Sequence, residues 1–360
     1  MIETREAKMF DIDFFMNINE IRKQIYNGEH FEKKYLLNKF EEYRSKTPII
    51  YNIETTNACN MKCKMCPRTT MMTRQVKTMN KETFINLVDQ IEPFSKSKWG
   101  EWEKFIESEY GIKSGDISEN HFFTYIIPKV LQLHGYGDPL LDKNMPEYIR
   151  ILSERNIPSY FSCNPANIDI KKTAQIFENG LDYIKYSIES VDDKRHKDIR
   201  GEASNFSDSY NKIIELLKIK EKKGYKTTII ITMLNLNRVD QMEDFELLKK
   251  KFAGQNVYTY LKSEDQQWYR KDYHGTCSIH WSEFCKHPWM SMTIKSNGDA
   301  VMCMEDFNNE IILGNVKKQS LYEIWNGEAY KIFREDHFNL TKGIKCTEQC
   351  DMKLIGSFIQ

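Results

Sequence analysis

The chain of 360 residues is balanced in charge, with 52 Lys plus Arg against 52 Asp plus Glu, and 40% of it is apolar. That composition suits one large or two ordinary folded domains and gives no electrostatic argument for a nucleic acid or an anionic membrane as partner. No run approaches the ~18 apolar residues of a membrane span, and the charged opening Met1-Ile2-Glu3-Thr4-Arg5 lacks the apolar stretch of a secretory signal.

In chain order, residues 1–48 read as an N-terminal extension of one or two amphipathic helices, Asn19 to Tyr26 and Phe31 to Tyr43. Pro48 to Thr55 reads as a buried strand leading into a cysteine-rich loop, and a helix follows from Asn80 to Ile91. The segment 93–120 does not match a short βα connection and reads as an insertion, helical around Trp99 to Tyr110. Strands at Val130 to His134, Ser159 to Ser162, Tyr183 to Ile188, Thr227 to Leu234 and Val257 to Leu261 then alternate with helices. Those helices are Met145 to Arg155, Ile170 to Asn179, Ser209 to Lys223 and Gln241 to Phe252. This alternation from the first strand onward predicts a parallel sheet covered by helices over 49–262. A full eight-fold barrel averages ~250 residues, so about six units predict a partial (β/α)6 barrel. After Lys262 the pattern changes. Asp265 to Thr276 reads as a linker or lid, with Trp268, Tyr269, Arg270, Tyr273 and His274, together with Tyr258, as candidate pocket residues. Asn297-Gly298-Asp299 between apolar runs predicts a β-hairpin, within a small α+β C-terminal domain, 263–360.

Nine cysteines in a chain of this size without an export signal point to metal or catalysis rather than disulfides, and to the cytoplasm. Cys59, Cys63 and Cys66 stand in a C-x3-C-x2-C loop, which supplies three thiolates close together. An iron–sulfur cube takes one cysteine on each of four irons, so three leave one iron open to a small molecule. A structural zinc site takes four ligands, and a zinc-stabilised interaction module is the non-enzymatic alternative. Cys285, Cys303, Cys346 and Cys350 form a second group of four in the C-terminal region.

The first loop resembles the signature of the radical S-adenosylmethionine (radical SAM) superfamily. Further segments are similar to that family's motifs. Gly135-Tyr136-Gly137-Asp138-Pro139 resembles its "GGEP" turn, Ser162-Cys163-Asn164 a Thr-Asn-Gly strand end, Tyr186-Ser187-Ile188-Glu189 its "SID" element, and Ile199-Arg200-Gly201 its "IRG". The segments around the C-terminal cysteines resemble the SPASM/twitch extension. The resemblance implies that Cys59, Cys63 and Cys66 hold the SAM-binding [4Fe–4S] cluster. It also implies that Cys285, Cys303, Cys346 and Cys350 hold one auxiliary [4Fe–4S] cluster, the shorter twitch form. The turn at Gly137 and Asp138 would receive the SAM amino group, Asp138 being one methylene shorter than the usual Glu. Ser187 and Arg200 would meet the ribose or carboxylate, and Asn164 and Glu189 would face SAM or substrate. Met65 stands where relatives carry an aromatic residue beside the adenine.

On this basis we expect a radical SAM oxidoreductase that removes hydrogen from a carbon of a small polar metabolite. A sugar, aminocyclitol or nucleotide-linked sugar fits, with the radical oxidised through the auxiliary cluster. A low-potential donor such as flavodoxin or ferredoxin would supply electrons. The alternatives are a peptide-modifying enzyme gripping its precursor with 1–48 or 93–120, and a redox-neutral epimerase with Cys163 or Cys277 as hydrogen donor.

Overall fold

The computed structural model describes residues 8–263, 285–339, 341–344 and 346. Within them the strands are β1 (Ile50–Ile53), β2 (Leu131–Gln132), β3 (Ser159–Cys163), β4 (Tyr183–Ser187) and β5 (Thr228–Leu234). They continue with β6 (Val257–Lys262), β7 (Met292–Ile294), β8 (Asp299–Val301) and β9 (Ile312–Asn315). All nine join one sheet in the spatial order 6-5-4-3-2-1-7-8-9. Strands β1 to β6 pair in parallel with their neighbours, as a βα alternation requires. The helices Lys81–Val88, Met145–Glu154, Ile170–Glu178, Phe206–Lys223 and Gln241–Lys251 pass between them.

Strands buried on both faces read as continuous apolar runs, and Ile229-Ile230-Ile231 in β5 is the clearest case. Successive side chains point to opposite faces. Ile229, Ile231, Ile184, Tyr186, Phe161 and Cys163 join the core beneath the helices. Ile230, Tyr160, Tyr258 and Tyr260 occupy the other face, in a cluster that Tyr51 of β1 also touches. Side chains of β1, β3, β5 and β6 can meet on one face only if the sheet curls. The partial (β/α)6 barrel expected from the sequence is therefore present. A π-helical turn, Phe122–Ile126, closes the floor of its interior, with Phe122 packed on Tyr160 and Tyr260 at centroid distances of 5.5 and 5.4 Å.

The C-terminal region extends the same sheet. β7 pairs in parallel with β1, and the expected hairpin at Asn297-Gly298 pairs β7 with β8. Helix Asp193–Arg200, strand β9 and helices Leu321–Trp325 and Glu328–Phe338 are additions to the elements read from sequence.

A second apolar core binds the N-terminal helices Ile12–Tyr26 and Lys33–Tyr43 to the insertion helix Lys96–Tyr110 and to Trp289, Met290 and Phe338 of the C-terminal region. Phe40 is fully buried at its centre, edge-on to Phe14 at 5.6 Å and to Trp289 at 5.0 Å. The Trp289 indole donates to Glu41 (2.8 Å), and the Trp325 indole donates to the Ser45 carbonyl (2.8 Å). The N-terminal helices thus pin the C-terminal region from outside. Phe40→Ala is expected to cost about 3–5 kcal/mol in urea unfolding, the usual range for removing a buried aromatic side chain.

Candidate functional site

The cysteine loop runs from β1 across the C-terminal ends of the strands and is tied down by backbone. Lys62 N and Lys64 N donate to the Arg200 and Ile199 carbonyls at 3.1 and 2.9 Å, and Cys66 N donates to the Cys63 carbonyl at 3.2 Å. The Thr69 hydroxyl caps the same Cys63 carbonyl at 3.0 Å. Burial pushes the Cys59 thiol up to about 11 and raises Cys66 too, and charge on Cys63 contributes to both shifts. Cys59 and Cys66 are therefore both electrostatic neighbours of Cys63. Among the described residues no three Cys, His, Asp or Glu side chains converge tightly enough to hold a single ion. As a donor set, three thiols in one loop fit a cluster with one open iron, and loading must displace their protons.

Beside this loop lies a fully buried carboxylate, Glu54, just after β1. The Arg74 guanidinium grips it with two bonds of 2.8 Å, and Ser296 Oγ (3.1 Å) and Tyr136 N (3.3 Å) also donate to it. Burial pushes the Glu54 carboxyl up, but Lys295 and Arg74 outweigh that and hold it below its usual range. The turn Gly135 to Asp138 packs directly against this group and the loop. A Cβ on Gly135 would lie 2.6 Å from Glu54 Oε2, and one on Gly137 2.1 Å from the Thr56 carbonyl oxygen. Asp138 N donates to the Ala58 carbonyl at 2.8 Å.

The Asp138 carboxylate is buried and committed within the protein. It accepts from Leu140 N (3.0 Å), Asn164 N (3.0 Å) and Asn167 Nδ2 (2.8 Å). Asn164 in turn donates from Nδ2 to Ser204 Oγ (3.2 Å), and the His196 Nε2–Ser204 Oγ bond is 2.8 Å. Glu189 N donates to His196 Nδ1 at 3.3 Å, which leaves the ring proton on Nε2. The Glu189 carboxylate pairs with Arg200 and accepts from Leu234 N at 2.8 Å. Arg200 also donates to Cys63 Sγ at 3.7 Å. Burial opposes its charge, but Glu189 and Cys63 hold the guanidinium protonated. The structure therefore brings Asp138, Asn164, Glu189 and Arg200 into two linked networks beside the cysteine loop. Ser187 ends β4, and Met65, like Ser187, is half-buried.

Cys163 sits in the core beneath the helices, where burial raises its thiol far above the usual range. It faces away from the barrel interior, the wrong side for donating hydrogen to a radical held there. Cys277, Trp268, Tyr269, Arg270, Tyr273, His274 and Cys350 lie outside the described residues. In the C-terminal group Cys285 and Cys346 are buried, and after the effects of burial and Glu305 their charges raise Cys303 further. Tyr258, a candidate pocket residue, instead bonds the insertion: its hydroxyl donates to the Ser118 carbonyl (2.6 Å) and contacts His121 Nδ1 (3.0 Å).

Sequence reading missed several residues here. Glu54 and Arg74 are one group. A carboxylate at the end of a buried strand must be paired, which was the available signal. His134, Lys185 and Lys262 on the interior face are another.

A curled parallel sheet carries a three-cysteine loop at its strand ends and further cysteines on a sheet extension, a donor set that suits iron–sulfur clusters. The radical SAM superfamily model matches residues 53–248, and the iron–sulfur cluster-binding SPASM domain model matches residues 285–351. The chain belongs to the radical SAM superfamily and carries a C-terminal SPASM domain. SAM, a [4Fe–4S] cluster and auxiliary iron–sulfur binding come with that membership. No curated protein matches the chain. Among solved structures, SuiB of Streptococcus suis bound to S-adenosylmethionine shares 14% identity over 95% of this chain and 82% of its own, with a TM-score of 0.53. The anSMEcpe structure with bound AdoMet shares 13% over 87% and 89%, with a TM-score of 0.51. BtrN in complex with AdoMet and 2-DOIA shares 15% over 84% and 93%, with a TM-score of 0.47. At such identities the likeness to the first two is one of fold. Among the described residues no helix is long and apolar enough to cross a membrane.

Gly137→Ala is expected to retain the clusters, measured as iron content, yet lose at least about tenfold in 5′-deoxyadenosine formation, because the turn must shift off the Thr56 backbone. Burial, followed by the Arg200 charge, pushes the His196 imidazole down to about 4 from 6.5. A depressed histidine favours the folded state while it stays neutral, and this contribution is lost as pH falls from 6.5 through about 4. His196→Gln should flatten that acid limb in a plot of unfolding midpoint against pH.

Proposed function

We propose that the chain is a radical SAM oxidoreductase acting on a small polar metabolite such as a sugar, aminocyclitol or nucleotide-linked sugar. The observation that carries this reading is the bond between the two cysteine regions. Tyr136, inside the turn beside the first loop, donates from its hydroxyl to Glu305 at 2.9 Å, two residues past Cys303. Arg74 Nε donates to the Phe307 carbonyl at 2.5 Å, and Thr73 N donates to Asn308 Oδ1 at 2.8 Å. A second redox site held in register with the first supports removal of an electron from a substrate radical.

Cys59, Cys63 and Cys66 would hold the SAM-binding cluster, and Cys285, Cys303, Cys346 and Cys350 one auxiliary cluster. When bound, SAM and its cluster supply a 5′-deoxyadenosyl radical. The protein's part is placement and exclusion of water. The Gly135–Gly137 backbone, Met65 and Ser187 border the SAM half-site, and Arg200 and Glu189 fix the Cys63 side of the loop. Substrate would enter the barrel interior above Phe122, a closed floor that supports a compact molecule over an extended peptide. A carbinol carbon that gives up a hydrogen atom, then one electron and one proton, leaves as a carbonyl.

The test is anaerobic reconstitution followed by turnover with panels of sugars, aminocyclitols and sugar nucleotides. About eight irons should bind, falling to about four in the Cys59/Cys63/Cys66→Ala variant with 5′-deoxyadenosine formation abolished. Product mass should fall by two hydrogens. Cys303→Ala should still cleave SAM but lose the oxidised product. An isomeric product of unchanged mass, or turnover with peptides alone, would overturn the oxidoreductase reading.

A further inference from the structure

Each cysteine region has a cation placed beside it. At the first, Arg200 donates to Cys63 Sγ at 3.7 Å. At the second stands Lys295, the residue directly after β7, which is inaccessible to solvent. Its backbone N donates to the Asp299 carbonyl at 2.8 Å, so the hairpin fixes where the side chain begins. Its Nζ donates at 2.9 Å to the carbonyl of Met304, the neighbour of Cys303. The same Nζ stands 5.7 Å from the centroid of the Tyr136 ring. The ammonium is thereby held between the turn of the first region and the chain at Cys303.

The other charges nearby have tasks of their own. Arg74 meets Glu54 with two bonds, and Asp306 accepts from Glu310 N and Ile311 N at 2.8 and 2.9 Å. All of them stay in place when Lys295 is substituted, so the substitution changes one unit of charge. Burial pushes the Lys295 ammonium down, Glu54 pushes it up, Arg74 opposes it, and Asp306 and Cys303 favour it again. Glu305 acts on Cys303 with the opposite sign. A charge this deep is screened less than one at the surface. An iron–sulfur cube on thiolates gains negative charge on reduction, and its potential follows the charge and burial around it. A buried cation beside one of its ligands favours the reduced form.

We propose that Lys295 raises the reduction potential of the auxiliary cluster held through Cys303, and so suits that cluster to accept an electron from the substrate radical. This rests on the oxidoreductase reading and adds a positioning residue to it, one that acts through the cluster and not on the substrate. The radical would lose one electron to the cluster and one proton to solvent, and the raised potential favours that direction over its reverse.

The experiment is an anaerobic redox titration of the reconstituted enzyme followed by electron paramagnetic resonance. The Cys59/Cys63/Cys66→Ala variant identifies the auxiliary signal. Lys295→Gln and Lys295→Met both remove the charge, and glutamine keeps a donor for the Met304 carbonyl. Each should weaken electron binding by about tenfold or more, a downward shift of ~59 mV for one electron. Lys295→Arg should restore most of the wild-type value, and Glu305→Gln should move the potential upward. The Lys295→Gln shift should persist at ~0.5 M salt, because the charge is buried. An unchanged potential in a neutral variant that keeps its iron would overturn the role. So would shifts of the same sign in Lys295→Gln and Glu305→Gln. Loss of iron from both neutral variants would overturn it too, since Lys295 would then serve assembly and not potential. The two readings fail separately. Shifted potentials with an isomeric product sink only the oxidoreductase reading, and an oxidised product with unshifted potentials sinks only the role of Lys295.

Discussion

One buried carboxylate organises the functional end of this molecule. Glu54 is inaccessible to solvent and receives bonds from Arg74, Tyr136 N and Ser296. Those donors come from three separate places: the far side of the cysteine loop, the turn after β2, and the segment after β7. Burying a carboxylate costs several kcal/mol, and a bidentate guanidinium with further donors is the geometry able to offset it. Breaking such a pair on one side would strand a buried charge, at a cost of about 3–5 kcal/mol. The loop, the turn and the C-terminal hairpin therefore share one fate. Gly135 follows from the same constraint, since any side chain there would collide with the Glu54 carboxylate.

That clamp also explains why the C-terminal region is continuous with the barrel. β7 pairs beside β1, the strand that delivers the cysteine loop, and Lys295 directly after β7 adds its charge to Glu54. The loop after Cys303 then meets the turn through Tyr136 and Glu305, with the Tyr136 and Phe307 rings edge-on at 5.8 Å. A shared sheet and a shared buried charge hold the described parts of the two cysteine regions in register.

Much of this was legible in the sequence. The cysteine spacings, the glycine turn and the Asn-Gly hairpin are local signals, and each carries its reason within a few residues. The strands are legible because a buried parallel sheet leaves apolar runs. What escaped depends on contacts distant in sequence. Helix Asp193–Arg200, with the sequence DKRHKDIR, is charged nearly all round, so it shows no apolar stripe, yet its end holds Cys63 through Arg200. The second core joins Phe14, Phe40, Trp102 and Trp289 from three distant segments, and no window of sequence contains it. Lys185 reads as an ordinary charge interrupting a strand until the curl of the sheet shows that it faces inward.

Asp138 shows how a small departure from a family pattern redistributes work within a site. With one methylene fewer than glutamate, its carboxylate stays close to its own backbone. It bonds Leu140 N two residues on and reaches Asn164 N at the next strand end. Asn167 takes up the second oxygen again, and Asn167 also exchanges side-chain bonds of 2.9 Å with Asn60 in the cysteine loop. The acid thus knits the turn, β3 and the loop together, and both its oxygens are engaged before any ligand arrives. In the proposed SAM half-site, an ammonium approaching this turn therefore meets backbone carbonyls brought close by Gly135 and Gly137. On that proposal the shorter side chain exchanges a direct contact for a stiffer frame, and the glycines would carry the recognition.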